Sequence, residues 1–239
     1  MGISYSEDQL SSAEVVFAQA SQLLYCEPDS QNVANCARSR MFATAPYGME
    51  SKRVCHGLEL MSSWLDECAP DADAAAFEDR MGSLRREWFR LFLGVGTPDA
   101  PCWESFYREP NSHLFGKRTL EVRDWYRRYG LQIEKLYSEP DDHLGLMLGF
   151  VSRLVALEAD ALAANDEEAA GKAASEQEEF LSEHVLPWLA AWRYSVEKSA
   201  TSDYFRGVGE LVFGLCELYA GRFDVTFDED AQVFKKARG

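Results

Sequence analysis

The chain has few of the residues that interrupt helices and none of the runs that cross membranes. Only 8 prolines and 16 glycines are spread over 239 residues, which favours long helices over many short strands, because both residue types weaken helix interiors. No stretch approaches the roughly 18 consecutive apolar residues of a membrane span. Basic residues are scarce too: 24 lysines and arginines stand against 40 aspartates and glutamates, a net charge of −16. Such a surface disfavours nucleic acid and anionic membrane as partners and suits a basic one. The cysteines (Cys26, Cys36, Cys55, Cys68, Cys102 and Cys216) form no Cys-x-x-Cys pair. The first eight residues have neither the basic nor the apolar region of a signal peptide. Reduced thiols in a cytoplasmic protein, without stable membrane insertion, are therefore expected.

The patterns that carry chemistry are missing as well. His56, His113, His143 and His184 occur neither as His-Glu-x-x-His nor as paired Glu-x-x-His, so no metal site is expected. Gly94-Val95-Gly96 and Gly207-Val208-Gly209 are isolated Gly-x-Gly pairs, and no phosphate loop is present, which counts against a nucleotide-using enzyme. His143 beside Asp142 is a possible acid/base pair, but no nucleophile or oxyanion donor accompanies it. The sequence predicts no enzyme and no cofactor.

What is present is a core-forming pattern at helical spacing. With 46% hydrophobic residues, the chain reads as one all-α domain over 1–239, a bundle of about nine helices. A capping box at Ser11–Glu14 predicts the first helix, stopped by Glu27-Pro28. Further helices are predicted over about 30–42, about 51–68, and through Phe77, Met81, Leu84, Trp88 and Leu91/Phe92 to Gly94. From Gly94 to Arg118 the periodicity fails, and a long aromatic-rich loop is expected. Thr119 is read as the cap of the next helix. Ser138 or Glu139 is read as the cap of the one after, with Pro140 in its first turn and an apolar face running through Leu144, Met147, Leu148, Val151, Leu154 and Val155. Gly145 and Gly149 lie on one side of that helix, where another backbone can approach. The polar segment 165–171 reads as a hinge, which would permit a monomer or a domain-swapped dimer. Ser175, Pro187 and Ser202 open the last three helices, and the tail after Gly221 is expected to fray.

Four short motifs carry more than periodicity. Glu139-Pro140-Asp141-Asp142-His143-Leu144-Gly145 resembles the Glu-Pro-acid-Asp/Asn-His-x-Gly signature of the TorD/DmsD family of cytoplasmic redox-enzyme maturation chaperones. Trp88-Phe89-Arg90-Leu91-Phe92-Leu93-Gly94 resembles that family's Trp-x-Arg-Leu-Phe-x-Gly helix end. Trp103-Glu104-Ser105-Phe106-Tyr107, followed by Leu114-Phe115-Gly116, is similar to its loop motif, and His184-Val185-Leu186-Pro187-Trp188 to its His-Leu-x-Pro-Trp turn.

The resemblance, in order over residues 80 to 220 or so, implies a chaperone that binds the twin-arginine leader of a molybdopterin oxidoreductase. The implied client is an enzyme of the dimethyl sulfoxide or trimethylamine N-oxide reductase type, held from export until its cofactor is inserted. The positions matching the family's leader-binding residues are Tyr25, Trp88, Leu91, Phe92, Trp103, Pro140, Asp142 and His143. Tyr107, Glu139 and Asp141 adjoin them. If these residues meet, they form an apolar groove edged by carboxylates, where guanidinium accepts bidentate partners and aromatics cover the apolar run. The rival expectation is a helical interaction module that docks a folded partner through the same corner without reading a leader.

Overall fold

A computed structural model describes residues 3–68, 70–109, 115–133 and 139–237 of the chain. It is built from α-helices, and the chain divides into two compact units. The first holds Met1–Tyr25, Cys102–Ala191 and Glu217–Gly239; the second holds Cys26–Pro101 and Trp192–Cys216.

The first unit is organised on α1 (Glu7–Tyr25) and α7 (Leu144–Ala163). Leu10, Ala13, Phe17, Ala20 and Leu24 recur at steps of three and four on α1 and are 0% exposed. On α7, Leu144, Met147, Leu148, Val151, Leu154 and Val155 are equally buried, as their spacing predicts. Each such side chain contributes about 1.5–3 kcal/mol by leaving water. The two glycines of α7 let the helices close up: a Cβ on Gly145 would stand 3.0 Å from the Ser21 carbonyl oxygen and 3.0 Å from the Tyr25 Cβ. Around this pair lie α5 (Glu104–Arg108), α6 (Lys117–Arg128), α8 (Glu167–Phe180) and the start of α9 (Leu186–Ser199). The end of α10 (Asp203–Gly221) leads to an antiparallel hairpin, β1 (Val225–Asp228) and β2 (Val233–Lys236), in which Val225 faces Lys236 and Phe227 faces Phe234. A buried network joins α7, α8 and the end of α10. Arg222 pairs with Glu158 and donates to the Tyr219 hydroxyl, and Gln177 donates to Glu158 at 2.9 Å.

The second unit contains α2 (Ser30–Ser39), α3 (Lys52–Asp66) and α4 (Ala74–Trp88), capped by Asp29, Ser51 and Asp73 in turn. Residues Trp192–Cys216 of α9 and α10 complete it. Gly57 and Gly207 allow α3 and α10 to cross closely, since a Cβ on Gly57 would meet the Gly207 carbonyl oxygen at 2.7 Å.

Several boundaries differ from the sequence reading, each for a local reason. The first helix starts earlier, because Ser6 and Gln9 form the capping box: Gln9 N–H donates to Ser6 Oγ and Ser6 N–H to Gln9 Oε1. The segment 165–171 is mostly helix rather than a hinge, since Asp166 caps α8 by accepting from Ala169 N–H at 3.0 Å. A π-helical turn over Leu181–Val185 joins α8 to α9, so Pro187 lies one residue inside α9 rather than opening it. The lost proline N–H falls where the π-turn has already rearranged the hydrogen-bond ladder. The tail forms the hairpin instead of fraying, with Lys235 paired to Asp228 at 2.6 Å and Lys236 to Glu178. Among the described residues ten α-helices are present; the one not expected is α5, within the loop.

Candidate functional site

The corner before α7 is built inside the first unit. His143, not Ser138 or Glu139, caps the helix: its Nδ1 accepts from the Gly145 N–H at 3.1 Å. Ser138 lies outside the described residues. Pro140 therefore precedes the helix by three residues and shapes the approach to it rather than its first turn. Only a neutral imidazole can accept at Nδ1, and burial pushes the His143 pKa down to about 3. The ring meets Tyr25 and Trp103 edge-on, at centroid distances of 5.5 and 5.7 Å.

The two aspartates behind the proline are held by internal partners. Asp142 is 0% exposed. One of its oxygens accepts from the Ser105 N–H at 2.8 Å and the other from the Thr119 hydroxyl at 2.7 Å. Thr119 is accordingly inside α6, two residues past its start, rather than capping it. Asp141 accepts from Nε and a terminal nitrogen of Arg123 at 3.0 and 2.7 Å, a buried ion pair. Both oxygens of Asp142 and one oxygen of Asp141 are thus engaged inside the protein, and at 0% and 1% exposure neither carboxylate presents the surface expected for gripping a guanidinium from outside. Glu139 is half-buried and accepts from the Tyr25 hydroxyl at 2.9 Å.

The loop motif is pinned to this corner. Trp103 and His143 form an isolated antiparallel bridge, with Leu144 N–H donating to the Cys102 carbonyl and Glu104 N–H to that of Asp142. The His184 motif joins from the other side. Glu104, 0% exposed, sits 2.9 Å from His184 Nδ1 and accepts from Arg108 at 2.7 Å. Tyr107 stacks on Trp188 with centroids 5.1 Å apart and planes at 21°. Three of the four motifs thus meet through named contacts. Of the expected contact residues, Tyr25, Trp103, Tyr107 and Glu139 retain exposed surface. The Trp103 indole nitrogen is buried and has no hydrogen-bond acceptor among the described residues.

The remaining motif belongs to the second unit. Trp88 ends α4 and a π-turn follows over Phe89–Leu93, closed by Gly94 at φ +60°. Trp88 is 7% exposed and Leu91 and Phe92 are 0%, with Phe92 edge-on to Phe205 at 5.6 Å. Leu91 and Phe92, expected as peptide contacts, are core side chains. The apolar groups that reach solvent here are Phe89, Leu93 and Val95, the last 95% exposed. Helical spacing puts Trp88 and Leu91/Phe92 on the apolar face of α4 and its continuation, and their burial agrees with it.

Among the described residues no helix is long and apolar enough to cross a membrane.

Comparison with known proteins agrees with the motifs. A family model described as nitrate reductase delta subunit matches residues 56–193. The Tat proofreading chaperone DmsD of Salmonella typhimurium is 30% identical over 177 residues, covering 72% of this chain and 79% of the relative. The chaperone protein TorD of Vibrio cholerae is 27% identical over 179 residues, 72% of this chain and 74% of the relative. A probable Tat proofreading chaperone DmsD of Haemophilus influenzae is 28% identical over 129 residues, 54% and 56% of the two chains.

Proposed function

This chain belongs to the TorD/DmsD family of redox-enzyme maturation chaperones, and from that premise we propose that it binds the twin-arginine leader of a molybdopterin oxidoreductase. The client is an enzyme of the dimethyl sulfoxide or trimethylamine N-oxide reductase type, and the chaperone acts in the cytoplasm, retaining the precursor until its cofactor is in place. It is a chaperone and not an enzyme.

The observation that carries this reading is the indole N–H of Trp103, a donor without an acceptor among the described residues, at the corner where three motifs meet. A buried unpaired donor costs about 1–3 kcal/mol, and a leader that opens the corner and brings a peptide carbonyl to the indole removes that cost. Tyr25, Tyr107 and Glu139 lie on the same unit with surface to share. Pro140, Asp141, Asp142 and His143 act by fixing the backbone that presents them. Trp88, Leu91 and Phe92 act by holding the helix end of the second unit. The net charge of −16 speeds encounter with a basic leader.

Calorimetric titration with synthetic leaders tests the reading. Saturable binding at about 1 μM or tighter, about −8 kcal/mol, that depends on the arginine pair and the apolar run is expected. Equal heats from a scrambled leader would leave the interaction module as the better description.

A further inference from the structure

His143 caps α7 with one ring nitrogen, and the other is left over. Because Nδ1 accepts from the Gly145 N–H, the proton of the neutral ring sits on Nε2, which is therefore a donor. Nε2 makes no hydrogen bond among the described residues, although His143 is only 3% exposed. The indole N–H of Trp103 is in the same state, buried and without an acceptor among them. The two rings stand edge to face with centroids 5.7 Å apart, and the bridge between their backbones holds them side by side.

The acceptors around this pair of donors are already occupied. The carbonyls of Cys102, Trp103, Asp142 and His143 each accept a backbone N–H. The Asp141 carbonyl accepts from the Tyr126 hydroxyl at 3.1 Å, and both carboxylate oxygens of Asp142 are engaged. A guanidinium or an ammonium, which can only donate, finds no opening among these groups. What fits them is a ligand that brings acceptors.

A peptide brings acceptors in its carbonyl oxygens, and its conformation decides which of them are free. In a helix all but the last four carbonyls are bonded within the helix. In an extended chain none is bonded within the chain, and carbonyls on one side recur every second residue, about 6.6 Å apart. That repeat is comparable with the separation of the two rings.

We propose that the leader passes this corner as an extended chain whose main-chain carbonyls accept from Nε2 of His143 and from the indole of Trp103. His143 is thereby a contact residue as well as a cap, and the corner reads backbone rather than arginine. The indole nitrogen is buried, so the corner opens as the chain enters. This rests on the leader-binding reading, and its test separates the two.

The full chain and two variants at position 143 are titrated with a synthetic leader carrying the arginine pair and the apolar run. In His143→Asn the amide oxygen replaces the cap acceptor and nothing replaces the Nε2 donor. In His143→Gln the longer side chain carries its amide N–H toward the place of Nε2, and the cap is lost. Leader affinity is expected to fall about tenfold in His143→Asn and to recover in His143→Gln, while the urea midpoints run the other way. The second readout is a set of leaders in which one amide at a time becomes a thioamide, a weaker acceptor. One position, or two positions two residues apart, should lose about threefold or more in affinity for the wild type, and nothing further for Trp103→Phe. Affinities that follow the urea midpoints, or a wild type that tolerates a thioamide at every position, overturn the backbone contact and leave the leader-binding reading standing. A wild type indifferent to the unmodified leader overturns both.

Discussion

The hydroxyl of Thr119 donates to a carboxylate oxygen of Asp142 at 2.7 Å, and both side chains are 0% exposed. The other oxygen of that carboxylate holds the Ser105 N–H, so one acidic side chain fastens the aromatic loop and α6 to the start of α7. Asp142→Ala should cost about 3 kcal/mol, because it strands a buried N–H and a buried hydroxyl at once. Thr119→Val, which removes one donor and keeps the shape, should cost about 1 kcal/mol. Urea unfolding of the two variants measures both.

Burial sets the sign of the acid response. His143 has its pKa pushed down to about 3, against about 6.5 in an unfolded chain. Between those values the unfolded state binds more protons, so stability is lost as the pH falls through that window. At pH 5 the loss from this group should be about 2 kcal/mol relative to neutral pH. His143→Asn keeps a side-chain oxygen for the cap and removes the titration. Its unfolding midpoint should therefore change less between pH 7 and pH 5 than that of the wild type.

Two glycines should respond in opposite senses to the same substitution. Gly145→Ala drives a Cβ to 3.0 Å from the backbone of α1 and should cost about 1–3 kcal/mol. Gly171→Ala, in α8 with nothing within 4 Å of the added carbon, should gain about 0.5–1 kcal/mol from helix propensity and a less flexible unfolded chain. Thermal unfolding of the pair checks the contrast.

The fold was legible in the sequence to the extent that each signal encodes geometry directly. The apolar periodicity of α1 and α7 is a property of side-chain spacing, and it located both helices and the buried face of each. The close approach at Gly145 and Gly149 was equally readable, because a missing Cβ has one geometric consequence. The use of Asp141 and Asp142 was not readable: a carboxylate after a proline looks the same whether it faces solvent or an Arg123 eighteen residues upstream. The π-turn at Phe89–Leu93 left no mark in composition, yet the spacing of Leu84, Trp88 and Leu91/Phe92 still located the buried face of that motif. The hairpin escaped because β1 and β2 are four residues each, too short for alternation to stand out. Glu104 and His184 lie 80 positions apart, and only the resemblance of their motifs hinted that they belong together.

The central claim is that a leader lands on the corner where Trp103 meets His143. The measurement closest to it is the indole ¹⁵N–¹H resonance of Trp103, assigned by its loss in Trp103→Phe and followed as leader peptide is added. A donor that gains a peptide carbonyl should move downfield and become protected from exchange as the leader saturates. An indole resonance that stays in place while calorimetry shows the leader fully bound would contradict the account.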